Sequence, residues 1–397
     1  MPVLEARSQK VAAGSSKLQV EIVTEDADFH ALEGTWNSLL ARSGTNTIFL
    51  TFEWLSTWWK HFGHRHDLLV LVVRRAGEVV ALFPSMITHR EGFRQLGMIG
   101  NKISDYKDFI IDDGEDREEV IRKIFQALDG IRSWDYLLLN GYSRDSVNYL
   151  PLRAALSGFA PRRSAWIDAA SSPYVPMEGD WNRYFAGLKK SFRDDITRAQ
   201  RRMEKRAASH SYSENIDDRF IDDIVDDIIT LNAKKYLDGK GRHSVFDDPV
   251  TRAFYKEFAN VAYPLGWLRI PVLTIDGEIA ARFLDFQYDN KYYGVVAAYN
   301  SGYSSYSPGR LLLIHQLRRC FEDGVREFDL LGGTESYKFS YNPRIRTTCT
   351  IGVFQRGRRG RFARRWVFGI RPFLERMSET RFQSFYWWYR KRTLHNG

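Results

Sequence analysis

Residues 292–331 read YYGVVAAYNSGYSSYSPGRLLLIHQLRRCFEDGVREFDLL, and this stretch decides the fold. Its first part, 292–299, is rich in tyrosine, valine and alanine, which predicts a β-strand. Ser307-Pro-Gly309 then opens an amphipathic helix over 310–322, and the apolar run at 327–331 predicts another strand. A strand, a helix and a strand in this order indicate an α/β unit.

Both halves of the chain show the same order of a β-hairpin, a helix and a further strand. Gly77-Glu-Val-Val-Ala81 and Gly277-Glu-Ile-Ala-Ala281 strengthen the parallel, because each places Gly-Glu at a turn before an alanine-containing strand. We therefore predict an α/β (α+β) fold of two tandem modules, each a mixed, mostly antiparallel sheet flanked by helices, with a groove between them. The predicted divisions are a flexible N-terminal arm (1–17), a first module (18–170), a second module (171–355) and a basic aromatic tail (356–397).

Other periodic segments predict further elements. Apolar residues at helical spacing predict helices, and β-branched or aromatic runs between turn residues predict strands. The predicted helices cover 28–41, 49–62, 120–131, 181–188, 192–206, 220–229 and 249–262, and the predicted strands cover 68–74, 79–88, 94–99, 106–111, 134–139, 268–275 and 279–288.

The composition is that of a globular chain. Of the 397 residues, 44% are hydrophobic and 27% are charged, which excludes disordered, collagen-like and disulfide-rich classes. The longest aliphatic run, 68–73, is far shorter than the ~20 apolar residues that a membrane-spanning helix needs. The first twenty residues contain no apolar block of the kind that a secretory signal requires, and Cys320 and Cys349 fit a reducing compartment. We therefore expect a cytoplasmic protein.

The net charge of +9 is concentrated at the C-terminus. Residues 356–397 carry twelve basic and two acidic side chains interleaved with aromatic residues, and Pro372 predicts a break within them. Three interpretations stay open for this tail. It binds an anionic membrane surface, which would hold the protein at the inner membrane face, or it packs its aromatic side chains on the rest of the chain, or it binds nucleic acid, which is the least favoured of the three.

The start of the helix at 310–322 is a candidate phosphate site. A helix that begins through Pro-Gly presents unpaired backbone N–H groups and the positive end of the helix dipole, which suits a phosphate such as the pyrophosphate of acyl-CoA. Ser307, Gly309 and Arg310 are the candidate cofactor-binding residues. In the alternative interpretation, proline and glycine only set the backbone geometry here.

A second candidate site follows the strand at 327–331. Gly332-Gly333 follows the carboxyl end of this strand, and the backbone of glycine residues can approach a ligand closely. An acid, a phenol and an amine come next, at Glu335, Tyr337 and Lys338, and such a set can transfer protons or hold an anionic substrate. In the alternative interpretation, this is a glycine-rich turn with a surface glutamate and lysine.

Further candidates are single residues. Lys190 and Arg193 lie on predicted helices just after the module junction and can bind a phosphate or carboxylate, although a solvated helix face also explains them. Asp285 lies on a central strand and can act as a base if it points into the groove. The nine histidines show no metal-ligand spacing, and no serine or cysteine lies in a recognisable nucleophile elbow. We therefore expect no metal, and direct transfer without a covalent enzyme intermediate.

A set of motifs is spread over both halves of the chain. These motifs are Phe52-Glu-Trp-Leu55, Trp58-Trp59, 77–84, Ser104-Asp-Tyr-Lys-Asp-Phe109, Ser307-Pro-Gly-Arg-Leu-Leu-Leu313, Gly324, Phe328-Asp-Leu-Leu-Gly-Gly333 and Glu335-Ser-Tyr-Lys338. Together they resemble the GNAT-type acyltransferases of bacterial cellulose and exopolysaccharide biosynthesis, the CelD-like group, which are distantly related to the FemABX aminoacyl transferases. The resemblance covers about residues 20–355.

The resemblance implies two GNAT-like modules in tandem, with the acyl-donor site in the second and the substrate in the groove between them. It implies transfer of an acyl group from a thioester, in the first place acyl-CoA such as acetyl-CoA, to an amine or hydroxyl of a sugar or of an envelope or exopolysaccharide precursor. Asp105 is expected to orient or deprotonate the acceptor, and Lys338 to stabilise charge at the reacting carbonyl or on a phosphate. Two alternatives stay open: a non-catalytic relative that binds a glycan or a synthase, and an aminoacyl-tRNA-dependent transferase.

One departure bears on the donor. The usual CoA signature of such acetyltransferases, Gln or Arg followed by two residues and Gly-x-Gly or Gly-x-Ala, is absent, and Ser307-Pro-Gly-Arg310 replaces it only in part.

Overall fold

The computed structural model describes residues 17–101, 103–160, 163–214, 216–237, 245–333 and 335–371. These residues form two compact units, the first made of 17–169 with 348–371 and the second of 170–347. In each unit strands form sheets and helices pack on them, which confirms the predicted mixed α/β class. The predicted groove between two modules stays a prediction.

The first unit begins with short helices and a series of antiparallel strands. In its large apolar cluster residues of α4 and α5 pack on the sheet strands, in agreement with the helical spacing of Val120, Ile121, Ile124 and Phe125. A smaller cluster contains Phe93, Tyr136, Phe354 and Ala363. Its elements are β1 (Gln19–Val23), α1 (Asp26–His30), α2 (Glu33–Ala41), α3 (Phe52–Phe62), β2 (His66–Leu68), β3 (Val70–Arg75), β4 (Glu78–Phe83), β5 (Ser85–Arg90), β6 (Phe93–Met98), β7 (Ile110–Ile111), α4 (Arg117–Gly130), β8 (Tyr136–Ser143) and α5 (Tyr149–Phe159).

The second unit contains residues 292–331, the strand-helix-strand segment quoted at the start of the sequence analysis. The strand β9 leads into it from the first unit, and β16 leads out of it. Its elements are β9 (Ser164–Pro176), α6 (Trp181–Gly187), α7 (Lys190–Arg206), β10 (His210–Ser213), α8 (Ile221–Leu237), α9 (Pro249–Ala262), β11 (Leu268–Arg269), β12 (Val272–Ile275), β13 (Glu278–Tyr288), β14 (Lys291–Tyr299), α10 (Pro308–Glu322), β15 (Glu327–Asp329) and β16 (Arg344–Phe354).

The strands of the second unit follow the order β10-β12-β13-β14-β15-β9. Their pairing is antiparallel except between β14 and β15, which run parallel from the pair Lys291–Glu327 to the pair Tyr293–Asp329. After Asp329 the chain leaves this ladder while β14 continues to Tyr299 against β13. The carboxyl end of β15 therefore separates from β14, which is where open α/β sheets bind ligands.

Helices α7 and α10 cover this sheet through apolar stripes. On α7 the buried residues Phe192, Ile196, Ala199 and Met203 recur at helical spacing, and the charged residues occupy the other positions. Helix α10 contributes a buried row of leucines, 311–313, to the same core. Because α7 and α10 pack on the same apolar core, the first residues of both helices have fixed positions relative to the strands of this sheet.

The chain returns to the first unit after residue 347. Residues 348–354 of β16 pair with β8, so they belong with the first unit, whereas the predicted second module extended to 355. Helix α11 (Arg358–Arg365) and a π-helical turn (Trp366–Ile370) follow. They pack in the first unit, since Arg359 bonds to Asp135 and Trp366 Nε1 donates to Glu91 at 2.6 Å. The predicted break at Pro372 lies outside the described residues.

Several element boundaries differ from the predictions. The predicted helix 28–41 is two helices, and the predicted strand 79–88 is divided at Pro84, which lacks the N–H that a continuous ladder needs. Pro271 likewise divides the predicted strand 268–275. The predicted strand 106–111 is reduced to Ile110–Ile111, because the residues before it form a loop. Helix α5 was not predicted.

Among the described residues, no helix is long and apolar enough to span a bilayer.

Candidate functional site

The Lys338 turn, residues 330–333 and 335–341, follows β15 and ends in a 3₁₀-helix that begins at Lys338. The Lys338 side chain is only 6% exposed, and its Nζ donates to the carbonyl oxygens of Gly332 at 2.9 Å and Leu331 at 3.3 Å. The third partner is the Glu335 carboxylate, whose Oε2 lies 3.1 Å from Nζ and whose side chain is 54% exposed. A ligand oxygen that enters from solvent would therefore replace Glu335 and leave the two backbone carbonyls in place.

The turn depends on unusual backbone. Leu331 has φ +59° and Gly333 has φ +134°, a conformation that side-chain-bearing residues rarely adopt. A Cβ on Gly333 would lie 2.2 Å from Glu335 Oε2 and 2.9 Å from Lys338 Nζ. Gly333 is thus the residue that gives room to the Glu335–Lys338 pair.

We expect Gly333→Ala to displace the Glu335 and Lys338 side chains and to destabilise the protein by more than the ~1 kcal/mol that positive φ alone costs. Gly357→Ala is the control, since Gly357 has φ +101°, nearer to that of Gly333, and a Cβ added to it would have no atom within 4 Å. Urea unfolding of the two variants measures the difference. Equal losses of unfolding free energy would show that the contact with Glu335 and Lys338 costs nothing.

A buried ion-pair cluster holds the strand that precedes the turn. Asp329 is fully buried, and its carboxylate accepts from the Leu331 N–H at 2.8 Å and from Arg346 Nη1 at 2.8 Å. Arg346 also bonds to Glu327 at 3.0 Å and lies over the Tyr174 ring, 4.3 Å from its centroid. Asp329 therefore couples Arg346 to the left-handed residue Leu331 at the start of the turn.

The predicted phosphate site is an exposed helix start. Ser307 has left-handed backbone, and its carbonyl accepts from the N–H groups of Arg310 and Leu311. Gly309 faces the Tyr299 ring, and a Cβ there would lie 3.4 Å from that ring. Arg310 is exposed at the first turn. The helix dipole and this guanidinium both favour an anion at this position.

Tyr341 connects the two candidate constellations. Its ring is buried and packs edge-on against Phe192 of α7, 5.1 Å between centroids. Burial raises the pKa of Tyr341, Tyr337 raises it further, and the positive charge of Arg310 opposes this rise. Phe192 near the start of α7, Leu311 in the first turn of α10 and Tyr341 all belong to one apolar core within the second unit.

The two cations predicted on α7 are engaged within the chain. Lys190 is 81% exposed and pairs with Asp194 at 2.8 Å, one helical turn away. Arg193 donates to the carbonyl oxygens of Ala186 and Leu188 at the end of α6, the Leu188 bond being 3.1 Å long. Arg193 thus caps α6, and substrate binding by either residue stays a prediction.

Asp285 is enclosed by the sheet and is 1% exposed. It lies at the bulge between β13 and β14, where its carboxyl accepts from the Val295 N–H at 3.0 Å and bonds to the Tyr292 hydroxyl at 3.2 Å. Burial raises the pKa of Asp285 well above its usual range, and the Val295 and Tyr292 contacts offset this only in part. The structure favours a role in fixing the bulge, and action as a base stays a prediction.

The raised pKa of Asp285 predicts a pH dependence of stability. Because the folded chain binds this proton more tightly than the unfolded chain, the stability it contributes is complete below about pH 4 and is lost as pH rises towards the folded-state pKa. The variant Asp285→Asn has no proton to lose, so the unfolding free energy of wild type should fall relative to that of the variant as pH rises above about 4. Parallel pH profiles of the two proteins would contradict the raised pKa.

Asp105 lies in the first unit, in the loop between β6 and β7. It is half-buried beside Lys107, whose pKa burial lowers while the Asp105 charge raises it. Lys107 Nζ donates to the Ser104 carbonyl at 2.8 Å, and the Trp54 indole donates to Ser104 Oγ at 2.7 Å. The loop thus holds a carboxylate and an amine of lowered pKa side by side.

Asp108 holds this loop in place and was not among the predicted residues. It is buried and accepts hydrogen bonds from the Tyr142 hydroxyl at 2.6 Å, the Asn148 amide at 3.0 Å and the Ser146 hydroxyl. Burial raises the pKa of Asp108, and these bonds oppose the rise. Lys107 was also missed. The available signal was the alternation of charged and aromatic residues through Ser104-Asp-Tyr-Lys-Asp-Phe109.

Metal-ligating side chains do not cluster in the part of the chain that the structure describes: no three His, Cys, Asp or Glu residues come together there.

The sequence matches a known domain over the region of the Lys338 turn. Residues 190–339 match the family of the acetyltransferase (GNAT) domain. This span begins at the first residue of α7 and ends just after Lys338, so it contains both candidate constellations. The matched region lies within the second unit, where the acyl-donor site was predicted, and the match supports a transferase. No curated protein matches the sequence.

Solved structures share the fold of most of the chain. A crystal structure of FemX superposes with a TM-score of 0.62 at 8% sequence identity, covering 87% of this chain and 99% of that one. A conserved protein of unknown function from Bacteroides thetaiotaomicron gives a TM-score of 0.50 at 13% identity, covering 84% of this chain and 100% of the other. The similarity at this level of identity is one of fold, and it extends over both units.

Proposed function

We propose that this protein is an acyltransferase that moves an acyl group directly from a thioester donor, acyl-CoA, to an amine or hydroxyl. One observation carries the proposal. Residues 190–339, which match the GNAT domain, contain both a helix start that favours an anion beside exposed Arg310 and the nearly buried Lys338, and both segments contribute residues to one apolar core. Each feature alone has a structural explanation, but together they supply a group for the pyrophosphate and a group for the acyl carbonyl of a thioester donor.

In the proposed reaction one group of residues binds the donor and another stabilises the transition state. The first turn of α10 and the Arg310 guanidinium bind the pyrophosphate, and acyl-CoA supplies the activated acyl carbon. Lys338 stabilises the negative charge that develops on the carbonyl oxygen when the acceptor attacks, exchanging its bond to exposed Glu335 for that oxygen. A new bond forms from the acceptor nitrogen or oxygen to the acyl carbon, the carbon–sulfur bond breaks, and the acceptor loses a proton.

The finer proposal concerns the acceptor. We assign it to a sugar-linked amine or hydroxyl of an envelope or exopolysaccharide precursor. Support comes from the CelD-like motifs quoted above, which occur in both units, and from the loop at Asp105, which presents a carboxylate beside an amine of lowered pKa. In this assignment Asp105 orients the acceptor, and Lys107 is a further candidate for accepting its proton.

Donor specificity provides the test. Full-length protein is incubated with acetyl-CoA or longer acyl-CoA and amino-sugar acceptors, and thiol release and product mass are followed. We expect Arg310→Gln to raise the KM for acyl-CoA about tenfold, because one charge-assisted contact to phosphate is lost. Arg318→Gln is the control, since Arg318 is an exposed arginine of the same helix that pairs with Glu322, away from the helix start.

Two outcomes would replace this proposal. Turnover with an aminoacyl-tRNA and none with any acyl-CoA would identify the other donor class. Absence of thioester binding and hydrolysis, together with identical behaviour of Lys338→Ala, would indicate a non-catalytic protein that binds a glycan or a synthase.

We also propose that the C-terminal tail attaches the protein to an anionic membrane surface at the inner membrane face. The charge of residues 356–397 and their aromatic content support this. Helix α11 packs in the first unit, where Ala363 is fully buried, so the informative truncation follows Arg371. Liposomes rich in anionic lipid should retain the full chain and release the truncated one, and equal retention would contradict the proposal.

A further inference from the structure

A cavity of about 690 Å³ lies in the second unit at the far end of α10 from the phosphate site. Its walls come from the last turns of α10, the end of β13 and the start of β14, and the segments around Glu214 and Arg269. Gln316 and Asp323, which line it, lie seven and fourteen residues beyond Gly309, or about 10 and 21 Å along the helix axis. The cavity is therefore separate from the acyl-donor site, and its volume falls within the usual range for small-molecule sites.

Gln316 is the most informative residue of the cavity wall. It is only 4% exposed, yet its side-chain amide makes no hydrogen bond to any described residue. Its amide atoms are not among the fully buried side-chain atoms that lack a partner, so they are open to the cavity and can bond to water or a ligand there. Its two donors and its carbonyl oxygen are thus available to a molecule inside the cavity.

Glu214 adds a second available group. Its carboxylate lines the same cavity and has no hydrogen-bond partner among the residues that the structure describes. Acceptors therefore face the cavity from Glu214, and both donors and an acceptor face it from Gln316.

The charged groups of the wall balance one another. Arg319 pairs with Asp323 at 3.4 Å, and Arg269 is held by the Gln287 side chain at 3.1 Å and by two backbone carbonyls. With Glu214, the lining carries two positive and two negative side chains. A ligand with a net charge would be repelled by the two side chains of the same sign. A neutral molecule rich in hydroxyl or amide groups can form hydrogen bonds with all of these polar side chains.

We propose that this cavity is a binding site for a neutral, hydroxyl-rich molecule of monosaccharide size, held by Gln316, Glu214 and Arg319. The half-buried Tyr263 ring in the wall offers an apolar face for the carbon atoms of such a ring. This inference does not rest on the proposed acyl transfer, since none of these residues belongs to the Lys338 turn or to the start of α10.

The test is calorimetric titration of the full chain with glucose, N-acetylglucosamine, glucuronate and glycine. We expect a neutral sugar to bind, and Arg319→Ala to weaken its binding about tenfold through loss of one hydrogen bond from a charged donor. Arg318→Ala is the matched control, because the adjacent Arg318 is similarly exposed and similarly paired, with Glu322, but does not line the cavity. It should bind the sugar as wild type does.

A second variant, at Gln316, tests the site without changing Arg319. Gln316→Leu has similar volume and removes the amide, so it should abolish sugar binding while acyl-CoA binding stays at the wild-type level. The proposal is overturned if neither neutral sugar binds, if only glucuronate or glycine binds, or if Arg319→Ala and Gln316→Leu bind the sugar as tightly as wild type does.

Discussion

Replacing Lys338 by methionine should reduce kcat for acyl transfer about 10²- to 10³-fold, with a much smaller change in the KM for the donor. In the proposed mechanism Nζ stabilises the oxyanion of the reacting carbonyl, and removal of one such donor costs this much in preorganised sites. The variant should also lose about 1–3 kcal/mol of unfolding free energy, since the carbonyls of Leu331 and Gly332 lose their donor.

Lys256→Met controls for the loss of a lysine ion pair. Lys256 pairs with Asp226 at 2.6 Å on helices of the same unit, outside the candidate site. Steady-state kinetics on both variants measure the effect. Equal kcat values in wild type and Lys338→Met, with folding confirmed by urea unfolding, would remove Lys338 from the chemistry.

Replacing Arg346 by methionine should destabilise the protein by about 3–5 kcal/mol, the usual cost of removing one partner from a buried ion pair. Asp329 is fully buried and would lose its charged partner, and Glu327 is nearly buried as well. Because Asp329 also accepts from the Leu331 N–H, the Lys338 turn should loosen, and kcat should fall together with stability.

Arg344→Met is the matched control on the same strand. Arg344 bonds to Glu178 through two contacts of 2.7 Å, but both side chains are more than half exposed, so the pair should contribute only about 0–1 kcal/mol. Urea unfolding of the two variants compares the loss of a buried arginine with the loss of an exposed arginine two residues away. Similar losses of unfolding free energy would show that the Arg346 cluster does not stabilise the fold.

The fold was predictable where periodicity was strong. Helix α9 begins and ends at the predicted residues 249 and 262, and the Asp276-Gly277 turn has the positive φ angles that the Asp-Gly signal indicates. Prediction failed where tertiary pairing decides the structure. The strand β16 divides its residues between two units, and nothing in its own sequence reports that its second half pairs with β8.

The candidate site was predictable in its residue types and less so in their surroundings. Glycine followed by acid and amine indicated a ligand-binding turn, and the structure shows why glycine is needed at 333. The supporting Arg346 lies outside the quoted motifs, because an ion pair between distant strands has no local sequence signal. For Asp285 the sequence identified the residue but not its role. A carboxylate on a central strand is equally compatible with a catalytic base and with a buried structural group, and only its hydrogen-bond partners distinguish the two.

A crystal structure of the full chain with acetyl-CoA or a non-hydrolysable thioether analogue tests the proposed donor site. We expect the pyrophosphate at the start of α10, at the Gly309 N–H and beside Arg310, and the acyl carbonyl oxygen within hydrogen-bond distance of Lys338 Nζ in place of Glu335. A donor bound elsewhere on the chain, or bound at α10 with its acyl group directed away from Lys338, would contradict it.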